Sequence, residues 1–273
     1  MPLEFELRQP STVPLEVAGI TPNSLRELSL SAIEQQPILQ GNRQLPLAEF
    51  FSVQGSAEDE THLWNGELSG VHWLGAKMKS GRIEVHGNIG RHLGSEMTGG
   101  AIHVSGNAGD WAGAELHGGL INVRGNAGDQ VGAAYRGSVE GMTQGTIIIG
   151  GDAGDEVGHS MRRGVLYIAG NIGDHAGVNM RAGTILIGGR SGIRHGAGMK
   201  RGTIAFLGHE PPPLLPTFRR ACLYRPDFFR VLFRHLQQSQ AAIAEETLAA
   251  PYDLYYGDLL EGGRGEILIR AVG

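Results

Sequence analysis

The chain has 273 residues, 44 of them glycine and one cysteine, with a net charge of -5. That balance excludes the basic footprint of a nucleic-acid binder, and the lone Cys222 excludes an internal disulfide and fits a reducing compartment. No apolar run approaches the ~18 residues of a membrane helix; Met1–Glu6 lacks the basic and then apolar run of a leader, so a cytoplasmic chain is expected.

Residues 1–64 are irregular and are expected to form a small mixed N-terminal cap. Phe5–Arg8 suits a short strand. Ser24-Leu-Arg-Glu27 and Ser31-Ala-Ile-Glu34 each match a capping box, so one or two short helices are expected there.

Residues 65–209 carry a nineteen-residue repeat. Gly81-Arg-Ile-Glu-Val-His-Gly87 recurs as Gly100-Ala-Ile-His-Val-Ser-Gly106, then from Gly119, Gly145, Gly164, Gly183 and Gly202. Only the step from Gly119 to Gly145 is longer, by seven residues. A fixed period of this length marks a solenoid. Alternate apolar residues make the first face a strand: Ile83, Ile102, Ile121, Ile147, Leu166, Ile185 and Ile204 form one column, and Val85 through Phe206 a second. The return face has a Gly-Asn-x-Gly corner, a glycine column from Gly75 to Gly196, and an apolar column from Met78 to Met199. Glycine supplies positive φ and close backbone approach at such corners. The expected fold is mainly β, a right-handed single-stranded β-helix of nineteen-residue turns. At about 4.8 Å per strand, its seven or eight turns make a rod on the order of 35 Å long.

The extra residues fall in Ala133–Gly141 and must bulge as a loop, which offers Tyr135 and Arg136 as interface residues. Residues 210–273 form a C-terminal arm. Pro211–Pro216 cannot continue a ladder. Asp227 is placed to cap a helix whose Phe229, Leu232, Phe233 and Leu236 make an apolar stripe. Glu266–Arg270 is a terminal strand.

Few residues suggest catalysis. The histidines share no ligand spacing, so no metal site is expected. Asp110, Asp129, Asp155 and Asp174 stack at one corner. They could hold a cation or act as acid and base, but the favoured reading is local backbone hydrogen bonding. Two columns look like binding surfaces. After the methionine column the last turns present Arg162, Arg163, Arg181, Lys200 and Arg201, either a solvated fan of cations or the seat of an anionic partner. The outward strand positions change from Glu84, His103 and Asn122 to Ile148, Tyr167, Leu186 and Ala205. Such an apolar stretch implies an interface, covered either by another subunit or by the chain's own helix through Phe229 and Phe233.

The Gly106–Asp110 and Gly125–Asp129 turns, the Gly132-Ala-Ala-Tyr-Arg-Gly137 insertion and Tyr256-Gly-Asp-Leu-Leu-Glu-Gly-Gly-Arg-Gly-Glu266 resemble the C subunit of formylmethanofuran dehydrogenase and of the bacterial formyltransferase/hydrolase complex. The repeat is also similar to the C-terminal domain of the glutamate synthase large subunit. The resemblance spans roughly residues 40–270, and the segments around Leu214–Phe218 and Tyr224–Phe228 tilt it to the bacterial complex. It implies a non-catalytic structural subunit in one-carbon metabolism. Its complex moves a formyl group between tetrahydromethanopterin and a methanofuran-type carrier and releases formate. The implied partners are a metal-dependent hydrolase, a formyltransferase and a molybdopterin-enzyme-like subunit. No cofactor is implied in this chain, but the carrier's polyglutamate tail is a candidate for the basic column. Two alternatives stay open: the C subunit of a tungsten or molybdenum dehydrogenase, and a stand-alone β-helix enzyme such as an acyltransferase. The latter's hexapeptide period gives about 18 residues per turn, which counts against it.

Overall fold

The computed structural model describes residues 1–271 and is mainly β. In chain order its elements are β1 (Leu3–Leu7), β2 (Leu15–Glu16), α1 (Pro22–Leu25), α2 (Leu30–Glu34), β3 (Pro37–Gln40), β4 (Arg43–Pro46), β5 (Phe51–Gln54), β6 (Thr61–Asn65), β7 (Val71–His72), β8 (Arg82–His86), β9 (Ala101–Val104), β10 (Leu120–Val123), β11 (Thr146–Ile149), β12 (Val165–Ile168), β13 (Thr184–Ile187), β14 (Thr203–Phe206), β15 (Arg219–Tyr224), α3 (Phe228–Gln238), α4 (Glu245–Ala249), β16 (Tyr252–Gly257) and β17 (Gly265–Arg270). Thirteen strands make one mostly parallel sheet, ordered β15-β16-β17-β14-β13-β12-β11-β10-β9-β8-β6-β1-β5. A second, four-stranded sheet is ordered β4-β3-β2-β7.

The repeat dictates the large sheet. Each period contributes one strand, and its apolar residues fall opposite their equivalents: Ile83 faces Ile102, Ile121 faces Ile147, and Ile185 faces Ile204. The inner columns are sealed, with Ile102, Ile121, Ile147, Met97 and Met161 at 0 % exposure. Burying each such side chain stabilises by roughly 1.5–3 kcal/mol. β6 joins this stack, pairing Thr61 with Arg82, so parallel pairing starts ahead of residue 65.

The return segments are also bonded from one period to the next. Ile89 N donates to Asn107 O at 2.8 Å, and Ala108 N to Asn126 O at 2.9 Å. Two side-chain ladders reinforce them. Asn88, Asn107 and Asn126 each accept, through Oδ1, the backbone N–H one period on, at 2.7–2.9 Å. Asp110, Asp129, Asp155 and Asp174 do the same at 2.8–3.1 Å. The stacked carboxylates therefore satisfy backbone donors that would otherwise be orphaned at the corner.

Backbone conformation and close approach explain the glycine column from Gly75 to Gly196. Gly113 has φ 65°, and a Cβ there would lie 2.4 Å from Ile147 Cδ1. Glycine does not supply every left-handed residue, however. Trp73, His92 and Trp111 sit at equivalent positions with φ 64°, 62° and 64°.

At the amino end, β1 pairs parallel with β6 and antiparallel with β5. Trp64 stacks on Phe5 at 4.2 Å and meets Phe51 edge-on at 5.2 Å. The two short helices form, but their starts differ from the sequence reading. Thr21, not Ser24, caps α1, and its N–H donates to Ser24 Oγ at 3.0 Å. Ser29, not Ser31, caps α2.

At the carboxyl end, β17 adds parallel to β14, with Ile204 facing Ile267. Here the structure departs from the expected single helix and strand. β16 returns antiparallel on β17, β15 pairs with β16 at the sheet edge, and α4 follows α3. Asp227 precedes α3 as expected, but its side chain makes no capping bond.

The apolar outward stretch is covered from within the chain. Ile148, Tyr167, Leu186 and Ala205 pack with Phe229, Phe233, Leu236 and Tyr252 in a second core. Tyr167 Oη donates to Ala242 O at 2.8 Å. Ile148, Tyr167, Leu186, Phe229 and Phe233 are all 5 % exposed or less, so they are an internal seam and not a surface offered to another subunit. Among the described residues no helix is long and apolar enough to cross a membrane.

Candidate functional site

The basic column lies where the chain turns out of the methionine column. Backbone bonds fix its rungs: His117 N to Met97 O, Thr143 N to Leu116 O, Arg162 N to Met142 O, Arg181 N to Met161 O and Lys200 N to Met180 O, each 2.8 Å. Buried methionines beneath anchor the backbone while the next side chain points to solvent. The middle rungs line a groove of about 640 Å3, formed by His117, Glu140, Thr143, Arg162, Arg163 and Arg181.

Like charges one rung apart repel, by about 1 kcal/mol in water at 4 Å. Two acids relieve this. Glu140, from the insertion, pairs with Arg162, and Glu261 pairs with Lys200 at 3.4 Å. Arg163, Arg181 and Arg201 have no carboxylate partner among the described residues. Of the five cations read from the sequence, Arg162, Arg163 and Arg181 share the groove; Lys200 and Arg201 continue the column beyond it. His117 Nδ1 lies 2.8 Å from Thr143 Oγ1, which fixes the ring at the groove's end. Unpaired guanidinium groups on a rigid backbone suit carboxylates, which they bind through paired N–H donors.

The insertion folds back over earlier turns. Tyr135 stacks against Trp111 at 4.9 Å, and His92 stacks on Trp73 at 4.0 Å. Tyr135 Oη donates to Ser95 Oγ at 2.8 Å and lies 2.9 Å from His92 Nδ1. Burial lowers the His92 pKa to about 4, helped by His72 and Arg91. Burial also raises the Tyr135 phenol to about 12. Both groups are therefore neutral near pH 7, and the cluster clasps the loop. Tyr135 serves that clasp, whereas Arg136 is exposed at the loop tip. The sequence reading missed Trp73, His92 and Trp111, although their nineteen-residue spacing was visible. It also missed the counter-charges Glu140 and Glu261, which lie outside the repeated positions.

A smaller groove of about 170 Å3 opens on the outward face of β8–β10, lined by Arg82, Glu84, His86, His103, Arg124 and Gln240. Arg82 Nε bonds Glu84 Oε1 at 2.6 Å. Burial, then Arg82, pushes the His103 pKa down.

No protein-family model matches the chain. A chain of the formyltransferase/hydrolase complex from Methylorubrum extorquens, solved in complex with methylofuran, superposes with a TM-score of 0.91 and 33% identity, covering 98% of this chain and 100% of that one. The chain belongs to the C-subunit family of formyltransferase/hydrolase and formylmethanofuran dehydrogenase complexes. The C subunit of a molybdenum-containing formylmethanofuran dehydrogenase from Methanothermobacter marburgensis is 42% identical over 82 residues, 30% of this chain and 20% of that protein. The C subunit of a tungsten-containing formylmethanofuran dehydrogenase from Methanococcus maripaludis is 38% identical over 92 residues, 33% of this chain and 34% of that protein. The matched segments thus span only a fifth to a third of these dehydrogenase relatives.

Proposed function

We propose that this chain is a structural, non-catalytic subunit of a formyltransferase/hydrolase complex, whose catalytic subunits move a formyl group between tetrahydromethanopterin and a methanofuran-type carrier. The full-length likeness to a chain of such a complex carries this reading. The body is read as a right-handed single-stranded β-helix, capped by residues 1–64 and extended by the arm of residues 210–273. Strands and corners that both repeat at a fixed period support that description. The working partners are a metal-dependent hydrolase, a formyltransferase and a molybdopterin-enzyme-like subunit, in the cytoplasm.

The groove at Arg162, Arg163 and Arg181 is proposed to hold the carrier's polyglutamate tail, with Lys200 and Arg201 extending the track. A tethered tail raises the local concentration of the formyl-bearing end at the active sites. Purified with its complex, the Arg162→Glu, Arg181→Glu double variant is expected to assemble normally and to weaken apparent carrier affinity about tenfold or more. Unchanged affinity removes the tail-binding role. The isolated chain is expected to show neither hydrolase nor transferase activity, and recovery of an active monomer overturns the structural role. The 42% identity to a molybdenum enzyme's subunit favours a second reading, membership of a dehydrogenase complex. The native mass and metal content of the endogenous assembly separate the two.

A further inference from the structure

The repeat body exposes little large apolar surface. Between residues 66 and 210 only Val139 and Ile193 stand out. Residues 219–261 expose Leu223, Phe228, Val231, Tyr256, Leu259 and Leu260, with Leu260 at 83%. Leu223 lies on β15, and Tyr256 lies on β16 opposite Arg219.

β15 is the terminal strand of the thirteen-stranded sheet and, among the described residues, pairs only with β16. Five of its six residues are exposed, and the sixth, half-buried Tyr224, alone packs against the second core. Its free edge presents a row of unpaired N–H and C=O groups. Folded proteins normally blunt such an edge with charge, proline or a covering segment. A register shift between Arg220 and Cys222 disturbs the pairing with β16, but Ala221, Cys222 and Leu223 leave the centre of the free edge uncharged.

We propose that the free edge of β15 docks an extended, acidic segment of another subunit as a further β-strand. This rests on the chain working inside a multisubunit complex, and adds where a partner sits and what it must look like. Main-chain bonds would supply affinity and the flanking side chains specificity. Charge selects the occupant. Arg219, Arg225 and Arg264 are exposed and have no carboxylate partner among the described residues, whereas Arg220 is already paired with Asp253. A second copy of this chain fits poorly, because antiparallel pairing about Cys222 sets Arg219 of each copy beside Arg225 of the other. An acidic strand meets both ends favourably, with Leu223 and Tyr256 available for its apolar side chains.

Cys222, the chain's one cysteine, lies exposed on this edge and reports its occupancy. The test compares alkylation of Cys222 by a maleimide in the isolated chain and in the purified native complex. At least tenfold protection in the complex is expected, and equal rates overturn the proposal while leaving the structural role intact. The Arg219→Glu, Arg225→Glu variant is expected to weaken assembly at least tenfold without changing its own thermal midpoint; unchanged assembly refutes the acidic partner. A Cys222–Cys222 cross-link in the isolated chain assigns the edge to a second copy and likewise overturns it. If the chain joins no complex at all, the structural role fails and this inference fails with it.

Discussion

β8–β10 and β11–β14 share one backbone period and the same inner columns, yet their outward faces differ. On β8–β10 the outward residues Glu84, His103 and Asn122 are polar; Glu84 and His103 line an open shelf, whereas Asn122 is buried and its Nδ2 donates to Ser239 O at 2.9 Å. On β11–β14 the equivalent residues are Ile148, Tyr167, Leu186 and Ala205, and α3 closes over them. One residue in nineteen therefore sets the chemistry of each rung's outward face. The inner columns hold the stack together, and the outward column selects what lies on it.

That contrast can be broken by substitution. Phe233→Asp places a carboxylate in the second core and is expected to cost more than about 4 kcal/mol, whereas His103→Gln on the open shelf stays within about 0.5 kcal/mol. Denaturant unfolding measures both, and comparable losses would show that the roof contributes no more than the shelf. Ile102→Ala and Ile185→Ala sit in the inner column beneath the two faces. Each is expected to cost about 3 kcal/mol, and a large inequality would mean the shared interior is not shared energetically.

An effect smaller than these core losses concerns the first rung of the same column, where His62 replaces isoleucine opposite Ile83. Neither ring nitrogen bonds to another protein group, and burial lowers its pKa to about 3. The unfolded chain binds this proton near pH 6.5 and the folded chain does not. Stability is thus fully present above pH 6.5 and lost as pH falls towards 3. About 2 kcal/mol should disappear between pH 6.5 and 5, and His62→Leu should flatten that slope. A slope unchanged in the variant assigns acid sensitivity elsewhere.

The sequence exposed the inner architecture because stacking forces like residues onto like at a fixed interval. It was weaker wherever the determinant lies off that interval. Arg219–Tyr224 is not legible as a strand because five of its six residues are exposed, which leaves no alternation to display. The left-handed conformation of Trp73, His92 and Trp111 is not legible in the sequence, because glycine is the residue that ordinarily signals positive φ. The basic column was visible, but the acids that divide it into paired and free cations arrive from the insertion and from the segment after β16. The apolar outward column was also visible. Whether its cover came from this chain or another depended on where α3 lands, which no local pattern encodes.

The position of β17 changes what the last quarter of the chain is. The path leaves the ladder after Phe206, wanders through β15, α3, α4 and β16, and comes back in phase so that Ile269 lies beside Phe206. The arm is therefore a parenthesis, opened and closed by neighbouring rungs, and not a tail. Trimming the chain near residue 210 would not merely remove an accessory; it would strip the final rung and leave β14 as a raw end. The same device appears in miniature at Ala133–Gly141, after which Leu120 still meets Thr146. In both places the fold accepts new sequence without losing count, and in both places the new sequence carries groups with no equivalent in the repeat.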